Sequence, residues 1–104
     1  MDGMLRKLFL GFIRLHILHH AGEAPIYGFE IKAELERHGY RLSYGTLYPI
    51  LHSLERDGYL ESQTKIEGGK QRRYYTLTSK GEKLLVEAKV KLRELTEEVL
   101  VEGL

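Results

Sequence analysis

A cluster of cationic side chains is the first feature that could do chemistry, because the chain as a whole is almost neutral. The formal net charge is +1 over 104 residues, yet every charged residue between positions 68 and 80 is basic: Lys70, Arg72, Arg73 and Lys80. Ammonium and guanidinium groups bind phosphate and carboxylate oxygens. A local basic strip in a near-neutral protein predicts a site for a polyanion, whereas a uniformly basic chain would indicate only general affinity for polyanions.

A second group of polar and aromatic side chains lies in "SYGTLYPILHSLERDGYL", residues 43–60. The apolar residues of this stretch recur at helical spacing, although Gly45 and Pro49 would cost a helix interior about 1 and about 3 kcal/mol. On a helical wheel both residues lie opposite the buried stripe, on one side with Thr46, His52, Ser53 and Arg56, and with Tyr48 at its border. We therefore expect this face to make close contact with a partner.

Three histidines, His16, His19 and His20, form a third group on one predicted helix. Their i, i+3 and i, i+4 spacing could in principle ligate a metal ion. Because the chain has no cysteine and no supporting carboxylate pattern, we assign no metal and no cofactor. The alternative role is that of cations near a helix end, where positive charge is favourable.

The elements that position these groups follow from periodicity. A first helix, Met4 to His20, is apolar on more than one face and should be buried on two sides. A second is predicted from about Ile26 to His38, with Gly39 as its stop signal. A third is capped by Ser43, ends at Gly58 and buries a stripe of four residues: Leu47, Ile50, Leu51 and Leu54.

Beyond Gly58 the pattern changes to that of a β-hairpin. Strands are predicted over residues 59–66 and 71–77, with Gly68-Gly69 as the turn between them. Tyr74 and Tyr75 should point to opposite faces, one into the core and one to the surface. A last helix, capped by Thr78 or Ser79, carries a heptad seam typical of an interaction helix: Leu85, Ala88, Leu92, Leu95 and Val99.

Composition limits the class of protein. Hydrophobic residues at 42% and charged residues at 30% describe a globular protein of one small domain. The longest apolar run is interrupted by Arg14 and His16, so neither a membrane span nor a signal peptide is predicted. The lack of cysteine fits a reducing cytoplasm. We expect a cytoplasmic protein with no membrane partner.

Helix, helix, turn, helix and a hairpin with a cationic tip is the order of a winged helix-turn-helix, an α+β and mostly helical fold. In this architecture the third helix enters the major groove and the wing contacts the backbone or the minor groove. The sequence therefore predicts DNA-contacting residues in helix three and the wing: Ser43, Tyr44, Gly45, Thr46, Tyr48, Pro49, His52, Lys70, Arg72 and Arg73. Tyr27 and Lys32, at the start of the second helix, are further candidates for phosphate contact, but we expect Tyr27 to pack in the core.

The same residues carry a family resemblance. The motifs "IYGFEI" at residues 26–31, "GTLYPILHSLERDGYL" at 45–60 and "GGKQRRYYTLTSKG" at 68–81 resemble the PadR-like transcriptional regulators, in particular the smaller subgroup with one C-terminal helix. The resemblance covers most of the chain between residues 24 and 81.

The resemblance implies a homodimeric repressor that binds a roughly palindromic promoter site in double-stranded DNA. Residues 1–78 would be the DNA-binding domain, and residues 79–104 a dimerisation helix packed with the first helix of the partner subunit. The dimer contacts would come from both helices: Leu5, Leu8, Phe12, Leu85, Ala88, Leu92, Leu95 and Val99. The family also implies a small apolar or aromatic effector, and some of its members use a tryptophan of the last helix that this chain lacks.

The pattern argues against three other functions, and we do not expect an enzyme. An enzyme would need a nucleophile with a base, paired acids or a metal in a pocket, and the hydroxyls and acids here fall at predicted caps and on solvent faces. A winged helix used only for protein contact would not need the basic wing. A MarR-like or ArsR-like regulator would keep DNA binding, but the chain is short for the former and lacks the metal-binding thiols of the latter.

Overall fold

Three helices form the amino-terminal half of the chain, in a computed structural model that describes residues 2–103. They are α1 (Gly3–Glu23), α2 (Gly28–Arg37) and α3 (Tyr44–Arg56). The Asp2 carboxylate caps α1 by accepting the backbone N–H groups of Met4 and Leu5. Because of this cap, α1 begins slightly earlier than the apolar pattern predicted, and it ends three residues later. The predicted DNA-binding domain, residues 1–78, begins at Met1, and the predicted dimerisation helix, residues 79–104, ends at Leu104. These two terminal residues lie outside the described residues.

The start of the second helix was predicted wrongly. Residues Ile26–Tyr27 form a short strand, β1, and α2 begins only at Gly28. Pro25 disfavours a helical conformation for Ala24, and Tyr27 is extended, with φ −107° and ψ 168°. The Glu30 carboxylate accepts the backbone N–H of Tyr27, the residue that immediately precedes α2.

The predicted hairpin is confirmed, and β1 completes its sheet. Strands β2 (Leu60–Glu67) and β3 (Lys70–Leu77) pair antiparallel, with Glu67 opposite Lys70 across a turn in which Gly68 and Gly69 both have positive φ. Strand β1 pairs with the other edge of β3, so the order is β1-β3-β2. The central strand of this sheet is therefore the one that carries the basic cluster.

One hydrophobic core joins α1, α2 and α3 to the base of the hairpin. Strand β2 contributes Leu60 and β3 contributes Tyr75, which is only 1% exposed. Tyr74 lies on the other face of β3 and is half-buried, as the predicted alternation requires. The helical part of the core is made of aliphatic residues: Ile13, Ile17, Leu18, Ala21, Ile31, Leu35, Leu47, Ile50, Leu51 and Leu54.

The last helix, α4 (Ser79–Thr96), follows the hairpin directly. Thr78 caps it, accepting the N–H of Gly81 through its side-chain oxygen and donating its hydroxyl to the Gly58 carbonyl at 2.6 Å. The helix contacts α1 and β3 of its own chain. A π-helical segment, Glu97–Glu102, continues it, and its wider turn moves Val99 away from a simple extension of the α-helical seam.

Within residues 2–103, no helix combines the length and the apolar character needed to cross a membrane.

The first prediction concerns the close approach of α4 to the start of β2. A Cβ at Gly81 would collide with the Tyr59 carbonyl oxygen and the Leu77 side chain, and the Tyr59 carbonyl belongs to backbone that cannot easily move. We expect Gly81→Ala to lower the free energy of unfolding by about 1–3 kcal/mol. The matched control is Gly3→Ala, whose Cβ would meet no atom within 4 Å. Urea unfolding at one protein concentration compares the two, and equal stability of both variants would contradict the packing argument.

Candidate nucleic-acid interface

A cleft of about 590 Å³ separates helix α3 from the wing. Its walls come from the start of α2, the exposed face of α3 and strand β3. Seven of the residues that line it were predicted from the sequence: Tyr27, Tyr44, Tyr48, His52, Lys70, Arg72 and Arg73. The fold thus brings the aromatic face of α3 and the basic cluster together on one surface.

Three rings form a column along α3. Tyr44 stacks on Tyr48 with ring centroids 5.4 Å apart, and Tyr48 stacks on His52 at 6.3 Å. The rings lie four residues apart, and residues at this spacing follow one another along a single face of a helix. All three side chains are exposed, whereas the opposite face of α3 is buried. The column therefore presents ring edges, a phenol hydroxyl and an imidazole to a partner.

The first turn of α3 is held by a side-chain cap. Ser43 Oγ accepts the N–H of Thr46 at 3.3 Å and lies 3.4 Å from its hydroxyl oxygen. Gly45 and Pro49 lie on the exposed side of the helix but outside the cleft. Because Pro49 has no N–H, the Gly45 carbonyl lacks its usual helical partner. The start of α3 consequently offers free backbone groups with no side chain in front of them at Gly45.

Arg72 is held in place on the wing by three neighbours. Its guanidinium lies 4.7 Å from the centre of the Tyr27 ring, and its Nη1 lies 3.3 Å from Glu67 Oε2. The nearby Tyr74 hydroxyl is the main cause that raises the pKa of Arg72 above its usual value. Tyr74 in turn donates to the same Glu67 oxygen at 3.1 Å, and partial burial raises the pKa of its hydroxyl. Arg72 is therefore a fixed positive charge, partly neutralised by one carboxylate.

Lys70 and Arg73 are the more accessible cations of the cleft, since both side chains are exposed. Arg73 lies near the hydroxyl of Tyr75, whose pKa is raised by burial against the opposing effect of that arginine. Lys65, on the neighbouring strand, lies over the ring of Tyr74 at 5.3 Å. Of the three cations that line the cleft, Arg72 is therefore constrained, while Lys70 and Arg73 can reach toward an anion.

Lys32 lies outside the cleft, in a neighbouring depression that it shares with Ser43 and Arg41. It forms an ion pair with Glu36, which is the main reason that its pKa is raised, and it lies 5.5 Å from the ring of Tyr44. The position extends the cationic surface past the N-terminal end of α3.

The interpretation of Tyr27 as a core residue is wrong. Its ring is half-buried at the edge of the cleft, packed against Arg72 and 5.3 Å from the ring of Tyr74. The pairing of β1 with β3 places Tyr27 opposite Tyr74, which no helical wheel of α2 could have shown.

Four further residues line the cleft and were not predicted as site residues: Gly28, Phe29, Gln71 and Tyr75. Phe29 is 64% exposed and stacks on Tyr27 at 6.3 Å, and its position off the Ile31 and Leu35 stripe was a readable signal. Gly28 packs under Tyr48, since a Cβ there would lie 3.0 Å from the tyrosine hydroxyl. Because Gly28 and Tyr48 are distant in the sequence, no local sequence pattern could predict this contact.

The residues predicted for dimer contact leave a large apolar surface on this chain. On α1, Leu5, Leu8 and Phe12 are 42%, 49% and 39% exposed, and Met4 beside them is also exposed. On α4 and its π-helical continuation, Leu92, Leu95 and Val99 are exposed, while Leu85 and Ala88 are half-buried.

Comparison with known proteins places this arrangement in a family. A model of the "Transcriptional regulator PadR-like family" matches residues 17–87. The transcriptional regulator Rv3488 of Mycobacterium tuberculosis is 47% identical over 96 residues, which are 92% of this chain and 90% of that protein. This chain belongs to the PadR-like family of transcriptional regulators.

Solved PadR-like structures have the same fold. A PadR-like transcription factor from Bacteroides fragilis is 31% identical, with a TM-score of 0.81 over 94% of this chain and 96% of that one. A PadR family regulator from Eggerthella lenta is 32% identical, with a TM-score of 0.80 over 92% of this chain and 85% of that one. The predicted family and the α+β winged-helix fold with a C-terminal helix are confirmed.

The second prediction tests the cap that sets the start of helix α3. Ser43→Ala removes the acceptor for the Thr46 N–H, so we expect a loss of about 1 kcal/mol in unfolding free energy. Ser43→Asp is the matched control, because a carboxylate also caps and favours the helix N-terminus. Urea unfolding of the three proteins is the measurement. An equal loss in both variants would show that the side chain stabilises α3 by something other than capping.

Proposed function

We propose that this PadR-like regulator binds double-stranded DNA through α3 and the wing, as a homodimer on a roughly palindromic promoter site. The observation that carries the proposal is the common cleft of the α3 aromatic column and the β3 cations. A surface with hydrogen-bonding rings on one wall and fixed positive charges on the other matches the exposed base edges and the phosphates of a duplex.

In the proposed complex α3 lies in the major groove. The exposed side chains of Tyr48 and His52 offer one donor or acceptor each to base edges, and Thr46 and Ser43 lie at the end nearest the backbone. The first turn of α3 also presents backbone N–H groups, which favour phosphate oxygens. The aromatic column of α3 would then read the base sequence. The first turn of α3 and Lys32 would position the protein on the phosphate backbone.

The wing supplies phosphate contacts. Lys70 and Arg73 extend into solvent, and Arg72 is oriented by the ring of Tyr27. Glu67 shares its carboxylate between Arg72 and Tyr74 in the free protein. A phosphate that approaches Arg72 would compete with this carboxylate, so Glu67 tempers the affinity of the wing for anions.

Dimerisation would cover the exposed apolar residues of α1 and α4. Monomeric soluble proteins rarely leave a contiguous patch of this kind uncovered. Residues 1–78 would then act as the DNA-binding part and residues 79–104 as the dimerisation helix against the first helix of the partner subunit. Two α3 helices held in this way would read half-sites about one turn of DNA apart.

The regulatory role is proposed to be repression in the cytoplasm, where the promoter lies. A small apolar or aromatic effector bound between the subunits would change the spacing of the two α3 helices and release the operator. The chain would act as a binding protein and not as an enzyme.

The third prediction tests the wing. We expect Arg72→Ala/Arg73→Ala to weaken binding to an operator selected from fragmented genomic DNA. The slope of log K against log salt should become shallower by about 1 for each phosphate that the variant no longer neutralises. Glu67→Gln should have the opposite effect and raise affinity, because it frees Arg72. Fluorescence anisotropy over a salt series measures both.

The matched control for the wing variant is Lys83→Ala/Arg93→Ala. It removes the same charge from exposed positions of α4, on the side away from the heptad seam. Equal weakening by the two double variants would mean that binding responds only to net charge. Failure of the unaltered protein to retain any duplex would favour the protein-contact module.

The fourth prediction tests the dimer. Leu92→Glu places a charge in the exposed apolar seam, so we expect a dimer at micromolar concentration to become a monomer by light scattering. Val90→Glu is the control, since Val90 is also exposed on α4 but lies opposite the seam. A monomeric unaltered protein, or a dimer that survives Leu92→Glu, would contradict the proposed interface.

A further inference from the structure

Histidine side chains from two helices meet beside the turn that precedes α3. His16 and His20 lie one turn apart on α1, and His38 follows the last residue of α2. One ring nitrogen from each of the three lies within 4.8 Å of the others. The sequence spacing gave only the histidines of α1, so the fold adds a third imidazole from a distant segment.

We propose that His16, His20 and His38 form a binding site for a divalent transition-metal ion of the Zn²⁺ class. Three imidazoles with water in the fourth position are an established donor set for Zn²⁺, with Zn–N distances of about 2.0–2.1 Å. The ring of His16 now stacks on that of His38 with centroids 4.5 Å apart. Binding would turn the rings so that their lone pairs converge, and the exposed position of His38 leaves room for this rotation.

One carboxylate beside the cluster gives the outer support that metal-binding histidines usually have. His20 Nδ1 lies 3.1 Å from Glu23 Oε1, which leaves Nε2 of the same ring for an ion. Glu34 lies on the side of the ring that would face the ion, since its Oε2 is 3.7 Å from that Nε2, and its Oε1 accepts from Arg37 at 2.8 Å. A carboxylate behind a ligating imidazole fixes the ring and raises its basicity.

The imidazole of His16 is suited to be a ligand. Its ring lies between the other two, stacked on His38 with centroids 4.5 Å apart and on His20 at 6.3 Å. A neutral ring keeps the lone pair that a metal ion needs.

A second combination, His19, His20 and Glu23, shares His20 with this cluster. It is drawn from one helix, and its outer members are open to solvent: the side chains of His19 and Glu23 are 50% and 61% exposed, against 20% for His20. Because the three-histidine set is less exposed and joins two elements, it is the arrangement that an ion would stabilise more.

A bound ion would connect two elements of the fold, because the three histidines come from α1 and from the segment between α2 and α3. His38 lies at the end of α2, just before the turn that leads to α3. His16 also lines a groove of about 350 Å³ between α1 and α4, together with Phe12 and Leu92. A bound ion would therefore fix the approach to the recognition helix relative to the apolar face proposed for dimer contact.

The fifth prediction is measured on the full-length chain, without a histidine tag and stripped with a chelator. We expect isothermal titration with Zn²⁺ to give one ion per chain, and Co²⁺ to give the visible spectrum of a low-coordinate site. His38→Ala should lower Zn²⁺ affinity at least about tenfold, the smallest effect expected even for an outer-shell partner. His52→Ala, on α3 and outside the cluster, should leave affinity unchanged.

His19→Ala distinguishes the two combinations, and we expect it to retain Zn²⁺ affinity. If His19→Ala lost Zn²⁺ affinity while His38→Ala kept it, the ion would lie on α1 alone, and the proposal would be overturned. The proposal would also be overturned if the unaltered chain bound no Zn²⁺, or if none of these variants changed the Zn²⁺ affinity. The titration contains no DNA, so its outcome is independent of whether the wing and α3 bind an operator.

Discussion

The pairing of β3 with two strands at once is the constraint on which the rest of the structure depends. Strand β3 binds β2 through the hairpin and β1 through residues that precede α2. Tyr75, at the centre of this pairing, is almost wholly buried in the helical core and so fixes which face of the strand is turned inward. With that face fixed, the register places Tyr27 beside Tyr74 and Arg72, and the basic wing cannot move independently of the start of α2.

Helix α3 shows how one segment can satisfy the core and a partner. Its stripe of Leu47, Ile50, Leu51 and Leu54 is buried, and this burial offsets the cost of Gly45 and Pro49 on the other side. Those two residues leave backbone groups accessible on the exposed side of α3. The residues that weaken the isolated helix are therefore consistent with a surface shaped for contact.

Patterns with a regular period could be predicted, and contacts between distant segments could not. The stripe of α3, the alternation of Tyr74 and Tyr75 and the paired glycines of the turn each carry a local signal. Strand β1 has only two residues, too few to show alternation, and its strand conformation comes from its partner. For the same reason the sequence could not show that Tyr27 would lie against Arg72, or that His38 would join His16.

The distribution of charge explains why net charge reports so little about this molecule. Lys70, Arg72 and Arg73 are concentrated on the wing, whereas α4 and its π-helical continuation carry more carboxylates than cations. A polyanion responds to the local potential of the surface it approaches and is repelled by an acidic one. Under the proposed function, this separation of the two signs along a near-neutral chain would orient the protein on DNA, wing first, and keep the acidic π-helical segment Glu97–Glu102 away from the phosphates. A chain with the same composition but mixed charges would have the same net charge without this preference.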